Sequence, residues 1–111
     1  MIGGNRIRER VPADEFMETL KGYGRENVAC TEHTFFRLSQ KQRELFTCES
    51  IREILFGDLP VLVGLQNNGC FAAFYKHKSH RFIRILLDVK VDRIDVVTFY
   101  VIEEWQLPVI R

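Results

Sequence analysis

The sequence predicts an α+β domain in which two or three helices pack on one face of a four-stranded antiparallel meander. Three observations carry that expectation. Helical spacing of apolar residues is confined to the first half of the chain, strand alternation takes over beyond Pro60, and the connections between strands are too short for crossovers. A length of 111 residues suits a single domain, 1–111. It divides into an N-terminal segment and helix (1–27), a core (28–102) and a tail (103–111). Hydrophobic residues at 46% and charged residues at 28% describe a globular chain rather than a disordered one. Nine Phe, three Tyr and one Trp make the expected core aromatic.

Residues 1–11 carry Gly3, Gly4 and alternating Arg and Glu, and read as a loose or short edge segment. Pro12 suits a first helical turn, Asp14 and Glu15 sit near the positive helix end, and Phe16, Met17 and Leu20 share a face before Gly22 and Gly24 stop the helix. Asn27 to Cys30 reads as a short strand. Thr31 with Glu32 opens a second helix that runs to about Arg43, with Phe35, Phe36 and Leu38 as its apolar face. Thr47 caps a third, carrying Ile51, Ile54 and Leu55 and ending at Gly57.

Four strands follow: VLVGLQ, CFAAFYKHK, RFIRILLDVK and RIDVVTFYVI, joined by turns at Asn67-Asn68-Gly69, Ser79-His80 and Val91-Asp92. Alternation puts Val61, Val63, Leu65, Phe71, Ala73, Tyr75, Ile83, Ile85, Leu87, Val97, Phe99 and Val101 under the helices. Gln66, Lys76, Lys78, Arg84, Asp88, Thr98 and Tyr100 then form an opposite face that is polar and basic.

The net charge of +1 supplies no global field toward nucleic acid or an anionic membrane. Residues 33–43 and 76–84 nevertheless hold basic residues and no acid, so two local basic patches remain. Cys30, Cys48 and Cys70 are odd in number and widely spaced, which argues against a disulfide framework or structural zinc and for a reducing cytoplasm. The longest uncharged stretch, Leu59 to Tyr75, is interrupted by Pro60 and by Gln66 to Gly69 and is too short to span a bilayer. The first residues lack a signal-peptide core, so no membrane partner or secretion is expected.

Two constellations bear on chemistry. His33 and Arg37 fall one helical turn apart, combining a group that exchanges protons near neutral pH with one that holds phosphate bidentately. Lys76, Lys78, Arg81 and Arg84, with Tyr75 and Phe82 beside them, suit a phosphate backbone and its bases. As an alternative, the first is a packed His near a helix start, and the second a solvated hairpin tip protecting a sheet edge. Arg84 and Tyr100 on interior strands favour function. His33, His77 and His80 lack carboxylates at ligand spacing, and neither a phosphate-binding loop nor a nucleophile motif is present, so no metal and no cofactor are expected.

The run Thr31-Glu32-His33-Thr34-Phe35-Phe36-Arg37, then Arg43, a helix from Thr47 to Gly57 and strands ending in Val97-Thr98-Phe99-Tyr100, resembles a small toxin-like family distantly related to RelE. That group also contains barnase, EndoU and colicin ribonuclease domains. The resemblance spans about residues 28–102. It implies helices on one face of an antiparallel sheet and an RNA site on the other. It further implies metal-independent endoribonuclease chemistry, in which the RNA 2′-hydroxyl attacks the adjacent phosphate.

His33 would carry over from the His/Arg motif, with Lys76, Arg84 and Tyr100 in places comparable to the RelE site, as catalytic residues. Arg37, Lys78, Arg81 and Thr98 would bind substrate. The implied protein is a toxin of a toxin–antitoxin pair, with an antitoxin protein as partner and mRNA, in part ribosome-bound, as substrate. The alternative is a non-catalytic protein-interaction module using the same face or the EEWQLP tail. Trp105 and Leu107 are expected to dock on the body, or to pair with a second copy in a homodimer.

Overall fold

Gly69 adopts a φ of +90°, a conformation other residues avoid, and so closes the tight turn that sets the register of the sheet. Around it the Gln66 N–H donates to the Cys70 carbonyl and the Gly69 N–H to the Gln66 carbonyl. The computed structural model describes residues 6–109; Gly3, Gly4 and the last two residues of the tail lie outside them.

The elements are β1 (Ile7–Arg10), α1 (Ala13–Leu20), β2 (Val28–Cys30), α2 (Gln40–Leu45), α3 (Cys48–Gly57), β3 (Leu62–Gln66), β4 (Phe71–Lys78), β5 (Arg81–Val89) and β6 (Ile94–Glu103). The fold is α+β, with three α-helices and one mixed sheet of six strands among the described residues, in the order β1-β3-β4-β5-β6-β2. The expected four-stranded sheet is therefore too small. Strands β3 to β6 pair antiparallel, β1 extends the sheet antiparallel to β3, and β2 lies parallel to β6. The short strand expected at Asn27 to Cys30 and the edge segment expected in residues 1–11 are both present, but at three and four residues they carry no alternation that would have placed them in the sheet.

Three departures from the sequence reading shape the site. The single helix expected from Thr31 to Arg43 is a 3₁₀ turn, Glu32–Phe35, followed by a separate α2. Ser39 starts α2 by accepting from the Gln42 N–H, so the chain turns between Phe36 and Ser39 instead of running through. Leu86 pairs with Thr98 but Leu87 with Val96, which leaves Val97 in a bulge. Val97 is consequently exposed, and Val96 replaces it in the core. The open face is also less polar than expected, because Ala72, Phe74, Phe82 and Ile102 form a second apolar cluster there.

The main core lies between the helices and the other face. Phe16 and Leu20 of α1 and Ile51 and Leu55 of α3 pack on Val63, Ala73, Tyr75, Ile83, Ile85, Leu87 and Phe99. Leu107 covers the second cluster, whereas Trp105 stands 81% exposed, so the expected docking holds for one of the two tail residues. The Tyr75 hydroxyl is buried with no partner among the described residues, and burial pushes its pKa upward. Tyr75→Phe should therefore raise stability by about 1 kcal/mol. The check is a higher urea midpoint at unchanged m-value; a lower midpoint would show that the hydroxyl is satisfied by water.

Cys30 and Cys48 form a disulfide, with Cα atoms 6.0 Å apart, which corrects the expectation drawn from cysteine count and spacing. The fold brings the end of β2 to the first turn of α3, where Arg52 also donates to the Val28 carbonyl at 2.8 Å. Cys70 is a buried free thiol whose pKa burial raises. A disulfide removes the cysteine argument for a reducing cytoplasm. No helix among the described residues is long and apolar enough to cross a membrane.

Candidate functional site

On the open face of the sheet, Arg84 of β5 and Tyr100 of β6 are directly paired, so their side chains rise together. Arg84 Nη1 donates to the Tyr100 hydroxyl at 2.9 Å. Because that oxygen accepts, the phenolic proton is free to be donated elsewhere. Arg37 reaches the same ring from the segment that passes the edge of β6, with its guanidinium 4.0 Å from the ring centroid.

The path of that segment explains how Arg37 arrives. The Thr34 hydroxyl donates to the Val96 carbonyl at 2.8 Å, and Phe35 and Phe46 both pack on Phe99 across the sheet. Arg43 donates to the carbonyls of Phe35 and Phe36, each at 3.1 Å, fixing the backbone immediately before Arg37. One end of the segment thus grips the core face while Arg37 extends over the open face.

Arg37, Gln66, Arg84, Leu86 and Thr98 line a cavity of about 230 Å³ beside this stack. Its charge is uncompensated. Arg25 and Arg52 pair with Glu49, Arg81 with Glu103, and Arg93 with Asp95, yet neither Arg37 nor Arg84 has a carboxylate partner among the described residues. Two guanidinium forks around a hydroxyl, with Thr98 alongside, suit an oxyanion that can accept several hydrogen bonds at once.

The other expected residues lie apart from this cavity. His33 is exposed, with its ring 6.4 Å from that of Phe36, and the broken helix removes the helical spacing to Arg37. Lys76 donates to the Ser79 carbonyl at 3.3 Å and lies over Phe82, farther along β4. Lys78 and Arg81 border a different cavity of about 370 Å³ with Lys41, His77 and Phe46. There burial, and then the charges of Lys78 and Arg81, hold the His77 pKa below its ordinary value.

Gln66 is the residue the sequence reading left out of the site. Its place on the polar face was legible, but its side chain is buried rather than solvated, and both amide atoms lack partners among the described residues. A glutamine ending an otherwise apolar strand, just before the Asn-Asn-Gly turn, was the available signal. Among the described residues no group of His, Cys, Asp and Glu is arranged to hold a metal. No family model matches the chain, and the searches of curated proteins and of solved structures found no match either.

Proposed function

We propose that the chain binds an RNA phosphodiester between Arg37 and Arg84 and cleaves it without a metal, as a RelE-like endoribonuclease toxin held in check by an antitoxin protein in the cytoplasm. The observation that carries this reading is the pair of arginines converging on Tyr100 with no acid among the described residues to neutralise them. In the proposed reaction the RNA 2′-oxygen attacks phosphorus and loses its proton to solvent, and the bond from phosphorus to the 5′-oxygen breaks. The two guanidinium groups stabilise the charge that develops on the phosphoryl oxygens. Tyr100 gives its proton to the departing 5′-oxygen and recovers one from water. The products are a 2′,3′-cyclic phosphate and a free 5′-hydroxyl.

Two features favour a non-catalytic module instead. His33 and Lys76 stand outside the cavity, which leaves Tyr100 as the proton carrier at the stack, and Trp105 is exposed for contact with another protein. Purified protein incubated with free and ribosome-bound mRNA in the presence of EDTA distinguishes the two. Cleavage leaving cyclic phosphate ends is the expected result. Intact RNA, with binding that still requires Arg37 and Arg84, would establish the binding module.

A further inference from the structure

We infer that Gln66 reads a nucleobase, adenine by preference, beside the phosphate held by Arg37 and Arg84. The inference rests on the phosphate-binding reading above and deepens it. Gln66 is 1% exposed, lines the cavity, and has neither Oε1 nor Nε2 hydrogen-bonded among the described residues. A buried amide left unpaired is costly, so its retention points to a ligand that completes it.

The chemistry of the amide selects that ligand. A bare oxyanion only accepts, so it can satisfy Nε2 but offers nothing to Oε1. The arginines on either side donate to the anion and are equally unable to accept from it. A single ligand that completes both amide atoms presents a donor and an acceptor side by side in one plane, next to a negative group. A nucleotide base edge does so, whereas a single ribose hydroxyl cannot face both amide atoms squarely.

On the Hoogsteen edge adenine alone offers that pair, with its exocyclic amino group donating to Oε1 and its N7 accepting from Nε2. Guanine would set its O6 carbonyl against Oε1 on the same edge. The surroundings suit a flat apolar ring as well. Leu86 lines the cavity and packs on the open-face apolar cluster that holds Ala72, its partner on β4, and Phe74, the partner of Arg84, so an apolar surface lies beside the polar groups.

Calorimetric titration of the full chain with AMP, GMP, CMP, UMP and inorganic phosphate tests the assignment. AMP should bind about five- to a hundredfold more tightly than the other nucleotides. Gln66→Met should erase that preference while inorganic phosphate is still held by Arg37 and Arg84. Because Gln66→Met removes an unpaired buried amide, its thermal midpoint should not fall. Should Gln66→Met fail to fold, Gln66→Asn keeps the chemistry but withdraws it from reach, and persistence of the AMP preference in Gln66→Asn would overturn the inference. Equal affinity for all four nucleotides, with binding still dependent on Arg84, overturns base reading and leaves the phosphate site standing. No binding of phosphate or of any nucleotide overturns both.

Discussion

Arg84→Ala is expected to slow RNA cleavage by about a hundredfold or more, the usual cost of removing one preorganised stabiliser of transition-state charge. Arg84 supplies two things at once: a fork toward the phosphoryl oxygens and the hydrogen bond that orients the Tyr100 hydroxyl. Its loss strands no buried acid, since it has no carboxylate partner among the described residues, so the thermal midpoint should move little. Arg84→Lys keeps the charge but loses the planar fork, and should recover only part of the rate. Tyr100→Phe separates the roles further, because the ring that carries Arg37 remains while the transferable proton is gone. It should keep RNA affinity and lose turnover. Single-turnover cleavage of an RNA oligonucleotide, paired with equilibrium binding, reads all three variants. Unchanged cleavage in Arg84→Ala, with the protein folded, would remove this cavity from the chemistry.

Much of the frame was legible because β3 to β6 carry strong alternation and the Asn67-Asn68-Gly69 turn has chemistry of its own. What was illegible depended on contacts between distant residues. A bulge cannot be seen in a run such as Val96-Val97, where either residue could face inward; the pairing of Leu87 with Val96 decides it. β2 was legible as a short strand, but its parallel pairing with β6 could not be read from its own three residues. Arg84 and Tyr100 could be placed together because strand pairing is local to one hairpin. The approach of Arg37 required the break after Phe35 and the anchor from Thr34 to Val96, a contact across 62 residues. Polarity misled at Gln66, since a glutamine on the open face reads as solvated, whereas this one is buried.

Breaking the Cys30–Cys48 bond is expected to cost about 3 kcal/mol of stability, the loop-closure entropy for a crosslink spanning 18 residues. The enclosed segment, residues 31–47, contains Thr34, Phe35, Arg37, Arg43 and Phe46, the groups that seat Arg37 over Tyr100 and hold it there. In the native state that segment keeps its own anchors, because Thr34 and Leu38 are buried and Phe46 packs on Phe99. The bond should therefore act chiefly on the unfolded chain. A Cys30→Ser, Cys48→Ser double variant should lose the full amount in urea denaturation, yet bind phosphate within about twofold of wild type, the smaller shift expected where native contacts survive. The double variant is the cleaner comparison, since a single change leaves one thiol free to pair with Cys70 or with another molecule. Equal stability of the double variant and the oxidised protein would show that the two cysteines do not pair in solution. A loss of phosphate affinity out of proportion to any unfolding would show that the crosslink holds Arg37 in the native state.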